Sequence, residues 1–506
     1  MGGDDRFNPP SPSSELRVLE RHSNGRADST GSMHPPYCDL LFPLGLYPAR
    51  PRPNRSGRED GKTMTNLNTK ARMDGMYFVL LGSAVFLLFG TALRMGTSLP
   101  ESDLRFIYFS SRCILQGADP YKPSEFMRVS LAEKRDLGVR ENPAIFSEEA
   151  HYIYLPTSMI LAPLAALPWK SAVVVWHAMT AVIFLTGSVL MWQLAADYAP
   201  ILSGFLVFLV LSSNELILAI ANPCGIVIGL CCISAWCFIR NRFEPVGVFC
   251  LGIGLLLKPH DAGLIWLYFL LAGGIYRKRA LQSLLVTIVL GVPTILWVTH
   301  VAPAWLQELG SNLAFLSAPG HLNDPGPTSN AGHGIGMLIS LQPAISLFRD
   351  DPRIYNPIAY FICAVPLLIW MRATFKAQSS RPNTYVALAA IAALSMLPVY
   401  HRIGDAKLLL LTVPACAMLW AEGGLVGRIA FLITTAGIML TGDLQWAIIL
   451  GTIRLLNLPG TALANYFLMA LQVFPVPGIL LAVSCYYLWV YVKGNSAEIR
   501  AELVKS

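Results

Sequence analysis

The sequence predicts an all-α polytopic membrane protein. Hydrophobic residues make up 54% of the 506-residue chain and charged residues only 14%, whereas about a quarter of the residues of a soluble protein are charged. The mean hydropathy is +0.51, and apolar runs long enough to cross a bilayer recur along the chain. We attribute the net charge of +7 to membrane topology, because Lys and Arg concentrate in cytoplasmic loops. Membrane lipids, and no nucleic acid, are therefore the expected partners.

Residues 1–75 precede the first apolar run and are rich in Pro, Ser, Arg and Asp. They show no apolar periodicity, which predicts a disordered segment. They also lack a short apolar region followed by a cleavage site, which argues against a secretory signal. Met64 begins a short polar lead into the first apolar run. We expect the native chain to start there, with the residues before it over-annotated.

Roughly twelve helices are predicted to span the membrane. The first follows Lys70 and Arg72, which places its N-terminus in the cytoplasm. Both chain ends lie inside only if two further apolar segments, 152–168 and 334–348, do not span the membrane. The predicted spans are 76–93, 171–194, 201–216, 222–238, 246–258, 261–276, 281–300, 357–372, 384–400, 406–421, 428–442 and 465–490.

Charged turns orient the later spans. Arg240, Arg242 and the basic run 277–279 are predicted inside, so the "KPHD" break that begins at Lys258 points outward. The membrane domain covers 76–493, with outer loops 94–151 and 302–333 that carry interfacial helices, and 494–506 form a cytoplasmic tail. The sequence shows no internal repeat, which argues against a secondary transporter because such folds often carry one.

The segment that follows the first span, from Asp103 to Gln116, has apolar residues near helical spacing. This pattern predicts an amphipathic helix that lies flat at the membrane interface. Asp103 could simply cap its first turn, because a carboxylate accepts free backbone N–H groups. Gly117 is expected to end the helix, and Asp119 with Pro120 to form a turn.

The predicted topology gathers many ionisable residues at the outer face. Charges near hydrocarbon are costly and often mark a functional site, although outer loops are also polar for ordinary reasons. The set comprises Asp103, Asp119, Glu148, Glu149, His151, Lys258, His260, Asp261, His321, Asp324, His333, His401, Arg402 and Asp405.

The sequence carries no HExxH, P-loop, GxGxxG or DxD motif. A metal-bound nucleotide-sugar donor is therefore not expected, and we predict neither a metal site nor a cofactor. Most of the ten cysteines lie in apolar runs without a CxxC pair, which is typical of small buried side chains. A reaction at the outer face would need one general base and a donor that the membrane supplies.

Several short motifs, in order, resemble glycosyltransferase family 87. They are an outer aspartate after the first span (Asp103), "GADPY" (117–121), "YIYLP" (152–156), "PLAALPW" (163–169) with Trp176, "GIGLLLKPHDAGLIWL" (252–267) and "LPVYHR" (397–402). The resemblance extends over most of residues 76–490. The chain departs from it at Leu155, where the family often has Pro, and at Asn222-Pro223, where it often has Gly-Gln. Both departures concern the specificity for sugar or acceptor more than the class of reaction.

The resemblance implies a GT-C fold, with many membrane helices and an outward active site roofed by the first outer loop. It implies transfer of a sugar, typically mannose, from a polyprenyl-phosphate carrier to a lipid or glycan acceptor, without nucleotide or metal. The position that matches the family's catalytic aspartate is Asp103.

An inverting transfer needs one base to take the acceptor's hydroxyl proton, and cations to stabilise the leaving phosphate. We predict Asp103 as the base and Lys258, His401 and Arg402 as donor-phosphate ligands at the outer face of the inner (plasma) membrane. Candidates for binding sugar or acceptor are Asp119, Tyr121, His151, Tyr154, His260, His321 and His333. A glycan ligase, and a transporter or flippase for a lipid-linked sugar, remain alternatives.

Overall fold

The chain is an all-helical, polytopic protein in the parts described by the structure, a computed structural model. These parts are residues 60–96, 101–137, 150–151, 154–213, 215–327, 338–377, 380–443 and 474–505. All of them belong to one compact unit, residues 52–506. An antiparallel bridge between Leu338 and Arg402 is the one β-type pairing outside the helices in these ranges.

The helices are numbered in chain order. They are α1 Asp60–Gly96, α2 Ser102–Leu115, α3 Pro123–Leu137, α4 Ala162–Ala165, α5 Trp169–Ala195, α6 Pro200–Leu211, α7 Glu215–Ala219, α8 Cys224–Arg240, α9 Glu244–Leu257, α10 Pro259–Leu271, α11 Gly274–Val301, α12 Trp305–Leu316, α13 Leu341–Ser346, α14 Pro352–Lys376, α15 Arg381–Ser395, α16 Val413–Glu422, α17 Gly424–Leu440 and α18 Pro475–Lys505. Two 3₁₀ helices, Pro156–Leu161 and Ile403–Thr412, precede α4 and α16.

Seven helical stretches of the described residues are long and apolar enough to cross a membrane. They are Thr69–Gly96, Trp169–Ala195, Pro200–Ala219, Gly274–Val301, Pro352–Lys376, Ile403–Glu422 and Pro475–Gly494. Shorter apolar helices accompany them, among them α8, α9 and α17. The sequence therefore predicted the helical membrane architecture correctly at this level.

Local chemistry explains where several helices begin. Asp351 caps α14 by accepting a hydrogen bond from the backbone N–H of Arg353 at 2.9 Å, and Ser380 caps α15 by accepting from the N–H of Asn383 at 3.3 Å. Proline stands in the first turn of both helices, where its missing N–H costs nothing. Pro259 in the same way begins α10 directly after the break at Lys258.

The breaks in the apolar sequence lie where they were predicted. α9 ends at Leu257 and α10 begins at Pro259, so Lys258 is the junction of a helical hairpin. Within 152–168 the described residues form only the first 3₁₀ helix and α4, and within 334–348 they form α13. These helices have 6, 4 and 6 residues, which is too short to span a bilayer.

Both ends of the membrane domain differ from the prediction. α1 begins at Asp60, so residues 60–75, predicted as disordered, extend the first membrane helix instead. This polar extension gains a tertiary contact, because Arg72 forms an ion pair with Asp197. α18 likewise continues to Lys505, through the segment predicted as a tail. Residues 1–59, including most of the predicted disordered segment, lie outside the described residues.

The helix that follows the first span is more enclosed than predicted. In α2 the residues from Phe106 to Ser111 are all buried, whereas Asp103, Arg105 and Arg112 are half-buried. Tyr108 and Phe109 pack against Trp169 at the start of α5. The apolar side of this helix is therefore covered by protein, and its position at the membrane interface stays a prediction.

Small residues allow two pairs of helices to approach closely. A Cβ atom on Gly75 of α1 would lie 2.3 Å from the carbonyl oxygen of Pro200 at the start of α6, and one on Gly187 of α5 would lie 2.9 Å from Cα of Gly229 in α8. Such close backbone contact is a common way to pack helices in membranes. These contacts align the helices whose ends form the site described below.

Candidate active site

Asp103 lies in the first turn of α2, just after the first long apolar helix. Two backbone bonds fix this turn, from the N–H of Glu101 to Ala219 O and from the N–H of Asp103 to Ile220 O, both 3.0 Å. The Asp103 carboxylate accepts hydrogen bonds from the side chains of Asn222 and Ser102. From the residues that the structure describes it accepts none from a backbone N–H, and the start of α2 has no side-chain cap, so the interpretation of Asp103 as a helix cap is wrong.

Asn222 is itself held in position by its neighbours. Its side-chain oxygen accepts a hydrogen bond from the N–H of Cys224 at 2.8 Å, while its NH₂ group donates to Asp103. The indole N–H of Trp176 donates to the carbonyl of Ala221 at 2.9 Å, and Ala221 adopts a left-handed conformation with φ of 56°. The turn that precedes α8 is thus shaped so that the Asn222 amide faces the carboxylate.

Burial raises the pKa of the Asp103 carboxyl above its usual value. The hydrogen bond from Asn222 and the positive charges of Arg402 and Lys258 act in the opposite direction and favour the ionised form. In its ionised form, a carboxylate whose pKa is raised in this way is a stronger base than a free aspartate. Its environment is therefore suited to accepting a proton.

A buried ion cluster lies next to this carboxylate. The ammonium of Lys258 contacts the Asp405 carboxylate and lies 3.0 Å from Asp261 Oδ2. Lys258 is 8% exposed, Asp405 3% and Asp261 0%, so the two carboxylates share one cation out of contact with solvent. Such a cluster is held together because an unpaired charge at this depth would be costly.

His401 and His260 extend the cluster. His401 is fully buried; its Nδ1 lies 2.9 Å from the carbonyl oxygen of Val399 and its Nε2 lies 3.2 Å from Asp261 Oδ1. Because a carbonyl oxygen only accepts, Nδ1 carries the hydrogen in the first contact. The His260 ring packs edge-on against His401 at 4.9 Å, and its side chain remains 35% exposed.

Arg402 connects the cluster to the second outer loop. Its backbone N–H donates to Asp405 Oδ2 at 3.0 Å, and its guanidinium donates to Tyr400, to the carbonyl of Leu322 at 3.1 Å and to Asn323 at 3.2 Å. The side chain is only partly buried. Arg402 is therefore the cation of this site that combines a fixed position with access from outside.

Four of these residues could hold a metal ion. One ligand atom from each of His260, Asp261, His401 and Asp405 lies within 4.8 Å of the others. The Lys258 ammonium already pairs with both carboxylates and offsets one of their two negative charges, so a divalent cation bound there would have to displace it. The donor set fits a metal, but the local charge favours the lysine, and the absence of a metal stays a prediction.

The structure brings five predicted site residues together: Asp103, Lys258, His260, His401 and Arg402. It also gives them different surroundings. Lys258 and His401 are buried against aspartates, so their assignment as direct phosphate ligands has weaker support than that of Arg402. Asp103, His260 and Arg402 are the members that retain exposed surface.

Two residues predicted to bind sugar or acceptor have structural contacts instead. Asp119 accepts a hydrogen bond from the N–H of Tyr121 at 2.9 Å, which confirms the predicted turn. Tyr121 is fully buried, donates its hydroxyl to the carbonyl of Tyr154 at 3.1 Å and accepts at its own carbonyl from Asn312 at 2.9 Å. Their side chains hold the first outer loop together, and we do not retain them as substrate ligands.

The remaining predicted ligands lie in the outer loops. His151 stacks on Phe315 of α12 at 4.0 Å, and His321 packs against the same Phe315 ring at 4.2 Å. Tyr154 is half-buried beside Tyr121. Their role in binding sugar or acceptor stays a prediction. His333 lies outside the described residues.

Asn222, Asp261 and Asp405 are site residues that sequence reasoning did not select. Asp261 and Asp405 were two among many outer acids, and Asn222 stood out only as a departure from a motif. The sequence did contain a signal for Asp405, because Asp three residues after Arg402 matches the spacing at which a side chain reaches back to a helix start. At the start of the 3₁₀ helix that precedes α16, the N–H of Arg402 donates to Asp405 Oδ2 at 3.0 Å, and the N–H of Asp405 donates to the carbonyl of Arg402 at 2.8 Å.

Comparison of this chain with protein-family models, with curated proteins and with solved structures found no match.

Proposed function

We propose that this protein is an integral membrane glycosyltransferase of the GT-C type. It transfers a hexose, typically mannose in the family it resembles, from a polyprenyl-phosphate-sugar donor to a lipid or glycan acceptor. The reaction takes place at the outer face of the inner (plasma) membrane and inverts the anomeric centre. Asp103 is the general base.

The observation that carries this proposal is the environment of Asp103. Its carboxylate is partly buried at the end of the first long apolar helix, is oriented by Asn222, and lies in the field of Arg402 and Lys258. A base and a cation at one end of a membrane helix are what transfer from a lipid-anchored phosphate requires. The donor's phosphate would lie at this depth because its lipid chain is in the bilayer.

The proposed reaction needs few groups. Asp103 takes the proton of the acceptor hydroxyl as its oxygen attacks the anomeric carbon. The bond between that carbon and the phosphate oxygen breaks, and both of its electrons leave with the polyprenyl phosphate. Arg402 stabilises the negative charge of that phosphate, while Lys258, Asp261 and Asp405 hold the surrounding segments in position.

The GT-C assignment includes a count of twelve membrane crossings. The proposal counts the seven long apolar helical stretches and adds the five helices α8, α9, α10, α15 and α17. These five helices are short, but several have one end at the site and the other at a basic residue. For example, α8 begins two residues after Asn222 and ends at Arg240, whereas α9 ends next to Lys258.

The alternatives differ in where their charges must lie. A transporter or flippase for lipid-linked sugar would need charged groups deep in several helices, whereas the acids of this cluster lie at helix ends and junctions: Asp103, Asp261 and Asp405. A glycan ligase would use the same base but a larger donor. The small number of charged residues in this cluster favours a transferase that uses a donor with a single sugar.

The experiment uses the purified full chain, synthetic polyprenyl-phosphate-mannose and a membrane extract as acceptor. Wild-type protein should transfer radiolabelled mannose. Asp103→Asn should lose on the order of 10²–10⁴-fold in rate, the usual contribution of a general base, while it still binds the donor.

Asp350→Asn is the matched control, because Asp350 is an exposed outer aspartate; it should retain wild-type activity. Full activity in Asp103→Asn would remove the assigned base. Movement of the intact donor across liposome membranes, without transfer, would instead assign the protein to the flippase class.

A further inference from the structure

A second charged site lies at the opposite ends of the helices from Asp103. The start of the apolar part of α1, the end of α5, the end of α8 and the start of α15 enclose a cavity of about 440 Å³. Its lining includes Arg72, Arg240, Arg242 and Arg381, with Asp197 as the one carboxylate among the lining residues. This site is separate from the proposed catalytic cluster and does not rest on the proposed function.

The arginines are only partly neutralised. Asp197 accepts from Arg72 at 2.7 Å and from Arg240 at 2.6 Å, so one carboxylate is shared by two guanidinium groups. Within the described residues no carboxylate lies at ion-pair distance from Arg242 or Arg381. Guanidinium groups offer planar donors that suit phosphate oxygens. The lining of the cavity therefore carries an excess of positive charge.

An indole donor adds to this set. Trp236 lines the cavity, and its Nε1 is buried without a hydrogen-bond acceptor in the part of the chain that the structure describes. Buried donors in folded proteins normally have an acceptor. An oxyanion in the cavity would supply one, and it would satisfy the unpaired arginines at the same time.

The position of the cavity indicates the source of the anion. Arg72 and Asp197 lie at the ends of two long apolar helices, where arginine and tryptophan typically meet lipid headgroups. Basic pockets between membrane helices on the cytoplasmic side bind the head groups of anionic lipids. We propose that this cavity binds the phosphate group of an anionic phospholipid.

The test measures lipid binding by native mass spectrometry of the delipidated full chain with phosphatidylglycerol, phosphatidylcholine or inorganic phosphate. Wild-type protein should bind phosphatidylglycerol in preference to phosphatidylcholine. The Arg242→Gln/Arg381→Gln variant should bind it roughly thirtyfold more weakly, since it removes two basic residues that each contribute about 1 kcal/mol near a lipid surface. Trp236→Phe, which removes the N–H donor but keeps an aromatic ring, should lower the affinity by a smaller factor.

Arg277→Gln/Lys278→Gln is the control, because it removes two exposed charges that do not line this cavity; its affinity should stay near wild type. Equal binding of both phospholipids, or an equal loss in the control, would overturn the proposal. Displacement of phosphatidylglycerol by millimolar inorganic phosphate would assign the cavity to a soluble anion and overturn the lipid assignment. Thermal unfolding of each variant separates loss of binding from loss of fold.

Discussion

At the scale of single residues, the neighbours of Asp103 determine the pKa of its carboxyl through opposing effects. Burial raises the pKa of its carboxyl, and the amide of Asn222 and the charge of Arg402 oppose that rise. Asn222 stands where the family that the sequence resembles often has a different dipeptide. A position that differs from the family is therefore in direct contact with the proposed base.

The pH dependence of transfer should report this balance. Only ionised Asp103 can accept a proton, so kcat/KM should fall as the pH is lowered through its pKa. Because that pKa is raised, the acidic limb should lie above the value of about 3.9 typical of a free aspartate. Asn222→Ala removes a hydrogen bond that lowers the pKa and should move the limb to still higher pH. An unchanged limb in this variant, with Asn383→Ala as control, would contradict the assignment.

The stability of the site should depend on Lys258. Lys258→Met leaves Asp261 and Asp405 buried without their shared cation, and breaking such a pair costs roughly 3–5 kcal/mol. The double variant Lys258→Met/Asp405→Asn removes one of the two stranded charges and should recover part of this loss. Denaturant unfolding in detergent measures the free energy of unfolding of both variants.

Lys170→Met is the comparison for that series, because Lys170 is exposed and its replacement should change the free energy of unfolding by less than about 0.5 kcal/mol. If Lys258→Met were no more destabilising than Lys170→Met, the cluster would not be the structural support described above.

At the scale of elements, hydrogen bonds join motifs that are distant in the sequence. The Tyr121 hydroxyl donates to Tyr154 O, Thr157 donates to Leu256 O at 2.7 Å, and Trp176 donates to Ala221 O. The order of the motifs along the chain was visible in the sequence, but these contacts were not. Hydropathy predicts where a helix runs, whereas the partners of a polar side chain depend on which helix ends meet.

The crossing of α5 and α8 provides a test at this scale. A Cβ on Gly187 would lie 2.9 Å from backbone atoms of Gly229, so Gly187→Ala must push the two helices apart. We expect the free energy of unfolding to fall by about 1–3 kcal/mol, the usual cost of overpacking a core. The many buried cysteines of the described residues allow unfolding to be followed with a thiol-reactive dye.

Gly478→Ala in α18 is the matched control for that helix crossing. A Cβ on Gly478 would meet no atom within 4 Å, so alanine should be neutral or slightly stabilising there, because it favours the helix. Equal melting temperatures for the two glycine variants would argue against close packing of α5 on α8.

At the scale of the whole molecule, the charges separate toward two ends. Arg72, Arg240 and Arg381 share one cavity, as expected from their predicted position inside, while Asp103, Lys258 and Arg402 gather elsewhere. This separation could be predicted because basic turns alternate with polar ones along the apolar sequence. The enclosure of α2 and the helical residues 60–75 could not, since both depend on tertiary contacts that local patterns do not carry.

The orientation of the molecule follows from the same separation and can be measured. Leu306 in α12 and Phe243 before α9 are both highly exposed, at 70% and 69%. Leu306 lies in the predicted second outer loop, and Phe243 lies beside Arg242, which is predicted inside.

In a Cys485→Ser background, which removes an exposed thiol, Leu306→Cys should react with an impermeant maleimide in intact cells. Phe243→Cys should react only after the membrane is permeabilised, because the positive end faces the cytoplasm. The opposite pattern would invert the topology and place Asp103 on the side where a lipid-linked donor at the outer face could not reach it.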